Sequence, residues 1–322
     1  MTDPYQEIKA IHLGDGNYFD NMRIDISESH KRFSYLPRHI KSIKKPKCLN
    51  RFKLFLSMIT LWLGLREFLV LNGLSKKWLD DFRSYWSKIL NGRPFGSNLD
   101  FFMLLHDYRK RQQYTSQLNW DHPEQHIANW QNPDQIYSTL HFVRKITLNP
   151  VICLPLWKRI SRSASILEYG CALAPYYYCY RNFFSYLECT WVLADIPNFP
   201  FHYAKYLYRN DKEVDFITID AEDFTNPLGK MGKFDVIILT TVLEHLYDPL
   251  FVSEYLLERL KPGGLFIFDY IKSEGLGLDH PKAVEMREKC LKNILEKTQL
   301  IHGRIDDINQ SINLCIMKKK LA

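Results

Sequence analysis

The 322-residue sequence has no paired CxxC and no compact Cys/His ligand pattern, and neither a secretory leader nor a bilayer-crossing segment is expected from it. Seven cysteines are scattered singly. No structural zinc site is therefore expected, and the thiols are expected to be reduced in a cytoplasmic compartment. Met1 to Asp20 is polar and acidic where a leader would need a basic start and an apolar middle. The most apolar stretch, Phe52 to Leu71, contains Lys53, Arg66 and Glu67. Its uninterrupted part, Leu54 to Leu65, reads as a buried helix, so membrane insertion is not expected. There is no internal repeat and no low-complexity tract. The excess of one charge sign is small: 43 basic against 36 acidic residues give +7. Much of it sits in Lys41 to Lys47 and Lys318 to Lys320, runs that read as solvated surface, so a nucleic-acid partner is not expected.

What remains is a globular composition, 46% apolar and 25% charged, long enough for one large domain or two ordinary ones. Residues 1–149 read as an irregular arm ending at Pro46, followed by a helical cap or lid. Helices are expected at Arg51 to Asn72, Trp78 to Leu90, Asn98 to Arg111 and Gln135 to Ile146. Trp78, Phe82, Trp86 and Ile89 recur at near-helical spacing, a core-packing signature. His122, Glu124, Gln125 and His126 surround Pro123 and read as a capped turn rather than a metal cluster. Trp120, Trp130 and Tyr137 either roof a pocket or belong to the core.

Residues 150–322 change character. Strands are expected at Ser165 to Tyr169, Thr190 to Ala194, Asp215 to Ile219, Phe234 to Thr240, Leu265 to Tyr270, Gln299 to Gly303 and Ile312 to Met317. Helices are expected at Tyr176 to Tyr186, Leu246 to Leu260 and Pro281 to Lys297. The nearly continuous apolar character of Phe234 to Thr240 fits a parallel strand covered on both faces. The last two strands are expected to form an antiparallel edge, with Lys318 to Ala322 an expendable tail. The class is α/β, and ligands of such sheets bind beyond the carboxyl ends of the strands.

Four segments run to or past strand ends on the side of that crevice, Glu168-Tyr169-Gly170-Cys171-Ala172-Leu173-Ala174, Asp195, Ile219 to Phe224 and Phe234 to Pro249, and a fifth, Leu260 to Gly264, is the turn that feeds strand five. In these segments the sequence resembles the class I S-adenosylmethionine-dependent methyltransferase family, small-molecule type. The resemblance covers about Ser165 to Met317. It implies a Rossmann-like, mainly parallel seven-stranded sheet with a reversed last strand, S-adenosylmethionine as cofactor, and a cofactor site made by Glu168, Gly170, Ala172, Asp195, Asp220, Ala221, Glu222 and Thr241. Asp195 would accept from the ribose hydroxyls and Asp220 from the adenine amine. The family loop carries glycine where this chain has Ala172 and Ala174, and a dinucleotide-binding loop would call for glycine there too.

The implied reaction is methyl transfer to an O, N or C nucleophile of a small molecule, a biosynthetic type of step. A protonated nucleophile needs a base. His245, just beyond the fourth strand, and His280, before Pro281, are the candidates, with capping of the next helix as the alternative for His280. Tyr177, among Tyr176 to Tyr178, would face the sulfonium through its ring, although consecutive helical positions fan apart and at least two of the three should be core. Tyr270 is a further pocket candidate, and Asp235 reads as a fold-supporting carboxylate. Two other readings stay open: cyclisation of the aminobutyrate part of S-adenosylmethionine, and a noncatalytic cofactor-binding interaction protein. Self-association as a homodimer is left open by the sequence.

Overall fold

The computed structural model describes residues 74–90, 94–95, 120, 129–130, 154–219, 225–272 and 279–321. The expected helices at Arg51 to Asn72, Asn98 to Arg111 and Gln135 to Ile146 lie outside the described residues, as do Tyr137, the His122 to His126 turn and Asp220, Ala221 and Glu222. Among the described residues, no helix is long and apolar enough to cross a membrane.

In chain order the elements are α1 (Leu74–Lys88), α2 (Leu154–Trp157), β1 (Ser165–Tyr169), α3 (Pro175–Cys179), β2 (Thr190–Asp195), α4 (Phe199–Tyr208), β3 (Val214–Thr218), β4 (Phe234–Leu239), α5 (Pro249–Arg259), β5 (Leu260–Tyr270), α6 (Pro281–Lys297), β6 (Thr298–His302) and β7 (Ile312–Lys319). One seven-stranded sheet runs β3-β2-β1-β4-β5-β7-β6. β7 is antiparallel to both of its neighbours, and the pairings among β1 to β5 are parallel. This is the Rossmann-like sheet with a reversed last strand that the resemblance implies.

Alternation along each strand sends side chains to two separate cores. Ile166, Trp191, Leu193, Val236, Ile238 and Ile267 join the layer made with α1, α3 and α4. Leu167, Val192, Ile237, Leu239, Phe266 and Phe268 join the layer made with α5 and α6. Fully buried Leu256, Leu291 and Ile294 close that second layer, each contributing roughly 1.5–3 kcal/mol. Both faces are covered, so strands such as β4 are apolar along nearly their whole length.

The helices begin at recognisable signals. Asn198 accepts from Phe201 N–H at 2.9 Å ahead of α4, and Asp248 accepts from Phe251 N–H at 2.8 Å ahead of α5. Proline follows within the first two positions of both, where its missing N–H and fixed φ suit a helix start. This moves the start of α5 from the expected Leu246 to Pro249, and Leu243 to His245 forms a separate 3₁₀ turn.

Four other expectations change. Pro262-Gly263-Gly264 lies within β5, where a register shift between Phe234 and Val236 of β4 absorbs it. The expected helix from Tyr176 to Tyr186 is α3 continued by a π turn and a 3₁₀ turn. The last two strands do form the expected antiparallel edge, with β7 between β5 and β6. Lys318 and Lys319 belong to β7, where Lys319 Nζ donates to Leu257 and Leu260 carbonyls at 2.5 and 2.7 Å. They are not a tail. Finally, Tyr176, Tyr177 and Tyr178 are all buried. They share one core cluster with side chains of the sheet, α1 and α4, so the fan of consecutive positions meets protein on several sides.

Asp235 does support the fold. It accepts from Ser165 N–H at 2.9 Å, Ser165 Oγ at 2.8 Å and Lys261 Nζ at 2.8 Å, tying β1, β4 and β5 at their amino ends. The N-terminal α1 docks on α4 through Tyr85, whose hydroxyl meets His202 Nδ1 at 2.7 Å and whose ring lies 4.8 Å from that of Tyr203.

Candidate functional site

The carboxyl ends of the parallel strands gather most of the expected residues. Gly170 leaves β1 with φ 63°. A Cβ at this position would collide with Val242 Cγ2, which follows Thr241 at the end of β4. Glycine is thus required twice, by backbone angle and by contact. Its N–H donates to Ala194 O at 2.8 Å, joining the loop to β2.

The loop keeps glycine-like geometry without glycine. Ala172 and Ala174 have φ 48° and 51°, in the left-handed region that Cβ disfavours. Two acids hold it there. Asp195 accepts from Ala172 N–H at 2.7 Å through one oxygen, and from Ile196 N–H at 2.8 Å and Asn198 Nδ2 at 3.1 Å through the other. Glu168 accepts from Tyr176 and Tyr177 N–H at 3.2 and 3.0 Å, capping α3, whose own cap residue, Ala174, has no side-chain acceptor. Burial raises the Glu168 carboxyl to about 8, against those two hydrogen bonds. Burial likewise raises Asp195 to about 7.

A second group sits beyond β4 and β5. Thr241 has φ 55°, strained for a β-branched residue, and donates its N–H to Asp269 Oδ1 at 2.5 Å. His280 donates its backbone N–H to Glu244 O at 2.8 Å. Its Nδ1 accepts from Lys282 N–H at 3.0 Å, which realises the capping alternative. That acceptance places the neutral ring's proton on Nε2. Burial and the Lys282 charge lower the imidazole's affinity for a second proton. Two rings from the N-terminal region cover both histidines: Trp120 meets His280 at 4.7 Å and Trp130 meets His245 at 4.8 Å.

The two tyrosines point elsewhere. Tyr177 is buried in the α1/α3/α4 layer against Trp191 and Tyr208, and its hydroxyl donates to Asp211 at 3.0 Å. Tyr270 donates its hydroxyl to Ala283 O at 2.6 Å and lies under Arg287, whose Cζ is 4.2 Å from the ring centre.

Three residues of this end escape the sequence reading. Buried Arg287 donates to Ile308 O at 2.7 Å, to Tyr270 O at 2.9 Å and to Gln310 O, fastening β5 to the 304–311 connection. Glu244, read only as part of a strand-and-helix motif, is 3% exposed. Asp269, next to Tyr270, is raised by burial to about 6. The apolar neighbours of Glu244 and the helical spacing of Arg287 to Leu291 and Ile294 were the available signals.

Residues 147–293 match a family model described as "Methyltransferase domain". A ubiquinone biosynthesis O-methyltransferase of Thiobacillus denitrificans (strain ATCC 25259 / T1) is 36% identical over 63 residues, 20% of this chain and 26% of that protein. The chain thus spans about a quarter of the length of that curated relative. Among solved structures, the N-methyltransferase NodS from Bradyrhizobium japonicum WM9 is similar over 53% of this chain and 93% of its own, with 16% identity and a TM-score of 0.39. An O-methyltransferase family protein from Burkholderia thailandensis is similar over 71% of this chain and 74% of its own, with 12% identity and a TM-score of 0.45.

Proposed function

We propose that this chain, whose residues 147–293 match a methyltransferase-domain model, is a class I S-adenosylmethionine-dependent enzyme that transfers a methyl group from S-adenosylmethionine to a nucleophile on a small molecule. The observation that carries the reading is that this matched stretch supplies the five parallel strands, β1 to β5, of the β3-β2-β1-β4-β5-β7-β6 sheet, with the loop after β1 tied to Asp195. Bound there, the cofactor would supply an already activated methyl group on a positive sulfur.

The residues present fit that group. Ala172 and Ala174 adopt left-handed angles, so the loop takes a glycine-type path although each adds a methyl. Gly170, Ala172 and Glu168 shape the cradle, and Asp195 stands beside it at the end of β2, with Asp220, Ala221 and Glu222 assigned to the adenine side by their place after β3. Thr241 closes the cradle from β4. The domain boundary is placed near residue 150, with the N-terminal part acting as a roof over the acceptor.

For the acceptor end we assign His280 a donor role through Nε2–H, because a base at Nε2 would need the proton on Nδ1, where Lys282 N–H already points. His245 and Glu244 are the groups placed to take a proton. Tyr270 acts by holding Arg287 and the start of α6, and Tyr177 by supporting the loop from below. A small-molecule acceptor fits a roof of Trp120 and Trp130 over the two histidines.

Calorimetry with S-adenosylmethionine, followed by detection of acceptor-dependent S-adenosylhomocysteine, tests the reading. No binding by folded protein would sink it, and release of methylthioadenosine without an acceptor would favour cyclisation instead. Trp120→Ala and Trp130→Ala should raise the acceptor KM about tenfold while leaving cofactor affinity within twofold; equal loss of both affinities would remove the roof role.

A further inference from the structure

We propose that the methyl acceptor is an amine and that Glu244 binds its ammonium form and removes the proton that blocks the nitrogen lone pair. This rests on the methyl-transfer reading above and narrows it to nitrogen.

Glu244 is 3% exposed at the carboxyl end of β4, and its Oε2 meets no hydrogen-bond donor among the described residues. A buried acceptor left without a donor is costly, and more so when it is charged. Its surroundings make ionisation harder still. Burial and the charges of Asp269 and Asp279 raise the carboxyl to about 8, with Arg287 acting the other way. Asp269 comes from β5, Asp279 and His280 from the segment before α6, Arg287 from α6, and His245 Nε2 lies 4.0 Å from Glu244 Oε1.

Arg287 does not supply the missing donor. Its Nε and one terminal nitrogen are directed to the carbonyls of Ile308, Tyr270 and Gln310, and no ion pair joins it to Glu244 among the described residues. Around Glu244, the two carboxyl groups of Asp269 and Asp279 are therefore set against one guanidinium that is turned to backbone.

The chemistry of the occupant follows from this. A neutral hydroxyl could give Oε2 one hydrogen bond but would leave the repulsion between the carboxylates in place. An ammonium supplies two or three N–H donors and the opposite charge. Trp120 and Trp130, whose rings lie against His280 and His245, bring two indoles to the same end of the sheet, and indole is the ring type that best accommodates a cation.

An ammonium nitrogen has no lone pair, so a proton must leave before methyl transfer. The Glu244 carboxylate takes one proton from R–NH₃⁺, giving R–NH₂ and the carboxylic acid. The amine lone pair then forms the N–C bond as the C–S bond breaks, its electron pair passing to sulfur. The products are R–NH₂⁺–CH₃ and neutral S-adenosylhomocysteine. Charge and atoms balance without a further reactant.

The test uses the full chain with S-adenosylhomocysteine bound, titrated by calorimetry at pH 8.5 with a panel of arylalkyl amines, each paired with the alcohol of the same skeleton, 2-phenylethylamine against 2-phenylethanol among them. At least one amine should bind tenfold or more tightly than its alcohol. Glu244→Gln should abolish that preference while keeping cofactor affinity. Asp269→Asn, which leaves Glu244 in place, should weaken it severalfold. In methyl-transfer assays the acidic limb of the kcat/KM profile should disappear in Glu244→Gln and return, displaced, in Glu244→Asp. Should Glu244→Gln fail to fold, the amine-to-alcohol ratio of the unaltered protein and of Asp269→Asn still decides. Equal binding within every pair, no amine binding, or methylation of a hydroxyl that survives Glu244→Gln would overturn the assignment. If S-adenosylmethionine itself does not bind, the methyl-transfer reading fails; if it binds without amine preference, only the nitrogen assignment fails.

Discussion

At residue scale, the loop after β1 stores strain that the sequence makes visible. Ala172 and Ala174 occupy left-handed angles that favour glycine. Relief of about 1–2 kcal/mol per site, partly offset by the extra freedom of unfolded glycine, predicts a net gain of about 0.5–1 kcal/mol for Ala172→Gly or Ala174→Gly. The reverse change, Gly170→Ala, meets both a positive φ and Val242, and should cost about 3 kcal/mol. Denaturant titration of the three variants checks all of this; a destabilised Ala174→Gly would show that its methyl contributes more by packing than it loses in backbone strain.

The two acids behind the loop give a pH signature. Glu168 and Asp195 have folded values of about 8 and about 7, above the ordinary carboxylate range. The fold therefore holds protons that the unfolded chain has released. Their contribution is complete below about pH 4 and shrinks as pH rises, until it is gone above about 8. Glu168→Gln should flatten the decline in denaturation midpoint between pH 5 and 8. An unchanged slope would place the proton elsewhere.

At element scale, the readable parts of the sequence were those where one physical pattern dominates. β1, β2 and β4 are short apolar runs because both faces are buried, and they were placed within a residue or so of their positions. α5 was not, because Leu246 and Tyr247 extend its apolar pattern ahead of its true start at Pro249. Asp248-Pro249 held the signal, an acceptor followed by a residue without an N–H. Tertiary covering decided the rest. Three consecutive buried tyrosines require protein on several sides of α3, and Arg287 is buried only because Tyr270 lies beneath it and three carbonyls face it. The site was readable as a set of strand ends; that Glu168 and Asp195 bind the loop's own backbone was not, since residue type does not reveal which donors meet a carboxylate.

Asp235 shows how elements are fastened away from the site. Removing its bonds to Ser165 and Lys261 by Asp235→Ala should cost about 1–2 kcal/mol and leave cofactor affinity within twofold. A large loss of affinity with unchanged stability would argue for a functional link through β4.

For the whole molecule, connectivity matters more than any one contact. β7 fills the gap between β5 and β6, with Leu265 opposite Lys318 and Gln299 opposite the same lysine. A chain stopped at Ser311 would expose the β5 edge, which carries Phe266, Ile267 and Phe268. Such a truncation is expected to aggregate rather than fold to a six-stranded sheet, as size-exclusion chromatography would show. A monodisperse, cofactor-binding product would refute this.

The same placement of β7 governs how the protein is made. The strand that closes the sheet is translated after all six of the others, so a ribosome must carry β5 and β6 as unmatched partners until residue 319 has cleared its exit tunnel. Assembly of this half of the sheet is thereby deferred until β7 has emerged, and the apolar β5 edge stays open to other chains for as long as that interval lasts.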